Sequence, residues 1–151
     1  MQHLIFIFLF SIMISQEYNE PHFELIQKNK NLEIRQYGEN IIAKTSLKNG
    51  DINQNSSMFR TLADYIFGNN TQSKKIPMTT PVMTRYDGES YDMIFFMLDK
   101  KEIEDLPEPV NQDVVIEKVF LNKVVVIQFS WWASEKNIAK HNSILKKYIN
   151  D

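Results

Sequence analysis

The sequence predicts an α+β fold in which antiparallel strands pack with two helices, built from two related halves. Three observations support this fold class. Runs rich in β-branched and aromatic residues recur along the chain and are separated by turn residues. Two other segments repeat apolar residues every three or four positions, which is the spacing of an amphipathic helix. Finally, the stretches "TLADYIFG" and "ILKKYIND" resemble each other at a separation of 83 residues.

Composition limits the function classes that the chain can serve. Its 151 residues predict a single domain, and an apolar content of 43% is enough to form a core. A net charge of −2 gives no reason to expect a nucleic-acid partner. The chain has no cysteine, which excludes disulfides and thiolate metal sites. With three histidines and no clustered carboxylates, we expect no metal centre.

The N-terminus carries the apolar run "LIFIFLFSIMI" at residues 4–14. A membrane-spanning helix needs about 20 apolar residues, whereas a signal-peptide core needs about 7–15. We therefore predict a signal peptide at residues 1–15, an arm at residues 16–29, and a secreted chain with no membrane span after cleavage. The alternative is a buried strand or short anchor in a cytoplasmic protein.

The first half begins with a predicted hairpin. "LEIRQYG" (residues 32–38) is a strand that ends at a turn, and "NIIAKTSL" (residues 40–47) is its partner. "KNGD" (residues 48–51) has the composition of a turn. A helix is predicted over residues 53–67 and is followed by the stop signal "GNN". One face of this helix carries Phe59, Leu62, Ala63 and Ile66.

Two strands complete the first half, over residues 76–85 and 91–98, with a turn at Asp87-Gly88. The former lies in the unusual phrase "KKIPMTTPVMT". Because proline cannot donate to a sheet ladder, Pro77 and Pro81 predict an edge or bulged strand that bends over the helix.

The second half repeats this order after a charged loop at residues 99–113. Strands are predicted over residues 114–119 and 123–132, and Ser134 caps a helix that carries His141 at the edge of its apolar face. We interpret both halves as β-β-α-β-β units, the second of which lacks its last two strands. A chance similarity between two helical patterns is the alternative to a true repeat.

An ordered series of segments resembles the SOUL haem-binding protein family over residues 30–150. The series comprises "LEIRQYG", "FRTLADYIFGNN", "KIPMTTPVMT", "MIFFML" and "LPEPVNQDVVIEKV". This resemblance implies a distorted antiparallel β-barrel or sheet with two helices. It also implies reversible, non-covalent tetrapyrrole binding in an apolar cleft beside the first helix.

The sequence departs from the family pattern in three ways. Many family members are intracellular or organellar, whereas this chain has an apolar leader. Family members generally end with two further strands, so the domain at residues 30–151 is expected to be a fragment, a short form or a decayed copy. Some members carry a proposed axial histidine directly after "EIR", where this chain has Gln36. Glutamine is a poor iron ligand, so we expect no axial ligation there.

The resemblance points to five candidate contacts for a haem or porphyrin. Met58 and Phe59 on the first helix would touch the ring, while Arg60, Lys74 and Lys75 would meet its propionates. The alternative roles are core packing for the two apolar residues and ordinary solvated charges for the three cations.

We therefore expect a non-enzymatic haem or porphyrin carrier or scavenger, because no nucleophile–base arrangement or paired acids are visible. Two alternatives stay open at this point. The chain could be a protein-interaction module that keeps the fold without the ligand, or an enzyme that modifies tetrapyrroles, for example by removing iron.

Overall fold

The architecture comes from a computed structural model that describes residues 20–48, 54–79, 81–86, 90–98, 100–130, 132 and 134–150. The described strands and helices follow one another in the order β1 (Phe23–Asn29), β2 (Leu32–Tyr37), β3 (Glu39–Lys48), α1 (Asn55–Ile66), β4 (Met83–Tyr86), β5 (Ser90–Phe96), β6 (Val115–Phe120), β7 (Lys123–Ile127) and α2 (Glu135–Asn150). A short 3-10 turn, Ile103–Asp105, lies between β5 and β6.

The strands form two antiparallel sheets. One has the order β1-β2-β7 and the other the order β4-β5-β3-β6. The predicted hairpin between residues 32–38 and 40–47 is therefore wrong, because β2 and β3 lie in different sheets. Helix α1 packs on β3 and β5, and helix α2 packs on β7. This arrangement confirms the predicted α+β class with two helices. Within the described residues the sheets remain separate and do not close into a barrel.

The two halves are related by the shift of 83 residues seen in the sequence. That shift carries β2 onto β6 and places α1 within the span of α2. It also preserves the strand pairing, because Arg35 pairs with Val124 while their shifted counterparts, Lys118 and Ile41, pair with each other. A pairing register that survives the shift is expected for two copies of one unit about an approximate two-fold axis.

The first half contains a well-packed core between α1 and its sheet. Leu62 and Ile66 of α1 are fully buried against alternate residues of β3 and β5, such as Ala43 and Phe95. Tyr65 is also buried, and its hydroxyl donates to the Pro107 carbonyl at 2.9 Å. Burial raises the pKa of Tyr65 to about 12.

The second half is far more exposed than the first. No described residue of α2 is buried, and three of its isoleucines are exposed: Ile138, Ile144 and Ile149. His141 is half-buried and stacks on the Phe129 ring, with the ring centres 4.0 Å apart. This position agrees with the one predicted for it, at the edge of the apolar face of the helix. Whereas β3 pairs on both sides, β7 pairs only with β2 in the described part of the chain.

The predicted strand at residues 76–85 is wrong over most of its length, because only Met83–Tyr86 forms β4. The preceding segment runs in irregular conformation, since Pro77 and Pro81 have no amide hydrogen for a ladder. It is held instead by separate bonds: the Ile76 amide donates to Ile66, and the buried Thr79 hydroxyl donates to the Phe96 carbonyl. The strand predicted at residues 123–132 also ends early, at Ile127.

The arm predicted at residues 16–29 contains a strand that the sequence analysis did not predict. Strand β1 pairs along β2, and the Phe23 ring lies 5.4 Å from the Tyr37 ring. Every residue of β1 after Phe23 is exposed, so its sequence lacks the alternation of apolar and polar residues that marks a half-buried strand. The predicted signal peptide and the predicted turn at Asp87-Gly88 lie outside the described residues.

Candidate functional site

An open groove of about 520 Å³ runs between the first half of α1 and strand β5. The Phe59 ring forms one wall, is 38% exposed, and packs edge-on against Phe95 with ring centres 5.4 Å apart. The groove is lined by Asn55, Ser56, Phe59, Arg60, Ala63 and Met93. It thus combines an apolar floor with a cation at the rim.

Local helical geometry brings these groups together. Phe59 and Ala63 are four residues apart, so they lie on the same face of α1, and the small alanine leaves space beside the ring. The start of the helix is fixed to the sheet, because the Tyr91 hydroxyl donates to the Asn55 side-chain oxygen at 2.8 Å. The first turn contains no acidic residue. The positive end of the helix dipole therefore lies at the part of the groove lined by Asn55 and Ser56, without a competing carboxylate on that turn.

The structure brings together two of the five predicted contacts. Phe59 and Arg60 line the groove, whereas Met58 is only 2% exposed and belongs to the core between α1 and its sheet. Lys74 and Lys75 are exposed beyond the helix end, where the chain is tied to Ile66. That end lies about 10 Å along the helix axis from Phe59.

Four lining residues were missed by the sequence reasoning: Asn55, Ser56, Ala63 and Met93. Ala63 had a usable signal, since it lies four positions after Phe59 on the same helical face. Met93 had none, because only the packing of α1 on β5 brings this strand residue to the groove.

Gln36 lies away from the groove, on β2 of the other sheet, where its amide donates to the Tyr37 carbonyl at 3.1 Å. Neither described histidine, His22 or His141, lines the groove. Among the residues that the structure describes, no three His, Cys, Asp or Glu side chains form a group that could hold a metal ion.

Comparison with known proteins identifies the family of the chain. The family model of the SOUL heme-binding protein matches residues 18–151, which includes every described strand and helix. The chain belongs to the SOUL heme-binding protein family. No curated protein matches the SOUL chain significantly in sequence. In the described part of this SOUL protein, no helix is both long and apolar enough to cross a membrane.

The strand that brings Met93 to the groove of this SOUL protein is anchored by the adjacent Asp92. This carboxylate is 2% exposed and accepts from Arg85 Nη2 at 2.6 Å and from Ser90 Oγ at 2.8 Å. Burial by itself raises the pKa of Asp92, but hydrogen bonds from Ser46, Ser90 and Arg85 together hold it below its ordinary value. The folded state therefore favours the ionised form.

We expect Asp92→Asn to lower the free energy of unfolding by about 1–2 kcal/mol at pH 7, because its charged partner Arg85 is half exposed and screened. Since the folded-state pKa is depressed, the contribution of Asp92 is present above about pH 4 and is lost on further acidification. The difference in the free energy of unfolding between wild type and variant, measured by urea denaturation, should therefore narrow from pH 5 to pH 2. The exposed Asp64→Asn is the control, and an equal effect of both variants at pH 7 would contradict this account.

Proposed function

We propose that this SOUL protein binds a tetrapyrrole non-covalently in the groove between α1 and β5, as a carrier or scavenger and not as an enzyme. Family membership supports haem or porphyrin as the ligand class. The observation that carries the proposal is the pairing of the exposed Phe59 ring with Arg60 on one groove.

The groove chemistry suits a tetrapyrrole because such a ligand is a flat apolar disc with acidic side chains. Phe59, Ala63 and Met93 offer an apolar surface for one face of the ring. Arg60 and the positive end of the α1 dipole offer a charge complement for a propionate. Lys74 and Lys75 stay secondary candidates, because a second propionate would have to reach the far end of the helix to meet them.

Binding in this groove would depend on apolar contact and charge, since neither described histidine lines it. Iron would then add little to the affinity. Accordingly, we propose reversible binding with little discrimination between haem and metal-free porphyrin. A site built for redox or ligand chemistry would instead hold the iron through an axial side chain.

Secretion is part of the proposal and is supported by the apolar run at residues 4–14, whose length fits a signal-peptide core. An extracellular carrier without disulfides depends on its packed core for stability, and that core lies almost wholly in the first half of the chain.

The test is a titration of the purified full chain with hemin and, separately, with protoporphyrin IX. We expect saturable Soret changes for both, with dissociation constants that differ by less than about tenfold, as expected when no axial bond contributes. Arg60→Gln should weaken both ligands severalfold, whereas Lys140→Gln on α2 should leave both unchanged. The absence of saturable binding would refute the proposal, and iron release during incubation with hemin would favour the enzyme alternative.

A further inference from the structure

A second cavity, of about 250 Å³, lies between the two sheets and is separate from the groove beside α1. One wall comes from β2 and β7, and the other from β4, β5 and the segment before β4. Its apolar lining consists of Pro21, Pro81, Met83, Phe96, Leu121, Val124 and Val126. Val124 and Val126 remain half exposed although they face the interior between the sheets.

One end of this cavity is polar, formed by Arg35 and Tyr37 of β2. Arg35 Nε donates to Glu33 at 2.7 Å, and Arg35 Nη1 donates to the Tyr37 hydroxyl at 3.1 Å. Phe23 covers the guanidinium, whose carbon lies 4.1 Å from the ring centre. The Tyr37 hydroxyl accepts this bond and retains its own hydrogen for a further acceptor.

Arg35 is the cation that faces the polar end of the cavity. Glu33 accepts from both Lys28, at 2.7 Å, and Arg35, so one carboxylate is shared by two cations. Hydrogen bonds from Lys28 and Arg35 hold the pKa of Glu33 below its ordinary value, which keeps it ionised. Lys28 and Glu33 do not line the cavity, and Lys28 is 57% exposed, so the charge that faces the cavity is that of Arg35, whose carboxylate partner is shared with a second cation. An anionic group with free acceptor atoms would complement it.

The volume limits the size of the ligand. A protein cavity of roughly 150 Å³ accepts benzene, so 250 Å³ corresponds to about ten heavy atoms. We propose that this cavity binds a medium-chain aliphatic carboxylate of about the size of octanoate. The chain lies among Val124, Val126 and Phe96, and the carboxylate accepts from the Tyr37 hydroxyl and an Arg35 N–H. A tetrapyrrole has several times as many heavy atoms and does not fit.

Glu20 is the one feature of the lining that opposes an anion. It is exposed at the cavity mouth, where solvent screens it, whereas Arg35 and Tyr37 are half-buried. The half-buried Arg35 therefore outweighs Glu20, and removing the Glu20 charge should strengthen binding. We expect Glu20→Gln to bind octanoate up to about threefold more tightly at low salt.

The test is calorimetric titration of the full chain with octanoate, with octylamine as the matched ligand of opposite charge. We expect saturable binding of octanoate and at least tenfold weaker binding of octylamine. Tyr37→Phe should weaken octanoate severalfold, whereas Tyr148→Phe, whose hydroxyl accepts from Gln27 outside the cavity, should not. Val126→Phe, which fills the cavity, should abolish binding. If Val126→Phe fails to fold, the comparison between Tyr37→Phe and Tyr148→Phe shows whether octanoate binds in this cavity.

Two outcomes would overturn the inference: no saturable octanoate binding, or equal binding of octanoate and octylamine. A competition experiment separates this site from the tetrapyrrole groove. Saturating protoporphyrin IX should leave octanoate binding unchanged, and so should Phe59→Asp, because Phe59 does not line the cavity between the sheets. Displacement of octanoate by porphyrin would show a shared site and contradict the inference while leaving the groove proposal open.

Discussion

Replacing Phe59 with aspartate is expected to weaken hemin binding about 10- to 100-fold. The substitution removes the largest exposed apolar group of the groove, and burying such a side chain against a ligand is worth about 1.5–3 kcal/mol. It also places a carboxylate where propionates approach Arg60. The change should be measured by titration of the Soret band at fixed pH and ionic strength.

The matched control for this prediction is Phe67→Asp. Phe67 follows the last turn of α1, is 62% exposed, and does not line the groove. The two variants thus make the same chemical change, one within α1 beside the proposed site and the other just beyond the end of the helix. Hemin affinity should fall for Phe59→Asp alone, and an equal fall for both variants would mean that hemin binds elsewhere or nonspecifically.

Replacing Leu62 with alanine is expected to lower the free energy of unfolding by about 2–5 kcal/mol. Leu62 is fully buried between α1 and its sheet, so the truncation loses apolar burial and leaves a cavity. For a chain of this size, the loss corresponds to a melting temperature lower by roughly 5–15 °C. Urea denaturation at neutral pH gives the free-energy difference directly.

Leu25→Ala provides the control, because Leu25 on β1 is 48% exposed and removing the same atoms there costs little. We expect a change below about 1 kcal/mol for this variant. Comparable losses at Leu25 and Leu62 would contradict the assignment of the main core to the first half.

The repeated architecture could be predicted from the sequence because both halves keep the same order of elements and the same apolar positions. The apolar triplet Ile41-Ile42-Ala43 matches Val124-Val125-Val126, and these triplets lie in β3 and β7 of the structure. Helix α1 was also predictable, since its buried residues recur at helical spacing. These signals are local, which is why sequence reasoning reaches them.

Other features gave little or no local signal. Strand β1 is mostly exposed, so its sequence lacks clear alternation, although only residues 30 and 31 separate it from its partner β2. The irregular run before β4 is fixed by the Thr79 bond to Phe96, seventeen residues away. Prolines indicated that the ladder is interrupted there, but not where pairing resumes.

The candidate site was only partly predictable, because the packing of separate segments decides which residues line it. Met58 and Phe59 are neighbours in sequence, but successive helical residues point about 100° apart, and only the docking of α1 on β5 decides which one faces the groove. The cavity between the sheets had no sequence signal, because its two walls come from segments far apart in the chain.

Tetrapyrrole binding in the groove beside α1 can be tested directly by NMR mapping, using the ¹⁵N-labelled full chain and a diamagnetic gallium protoporphyrin. We expect the largest chemical-shift changes on the amides of residues 55–63 and on Met93 and its neighbours in β5. Changes confined to β1, β2 and β7, or an unchanged spectrum at saturating porphyrin, would contradict binding in this groove.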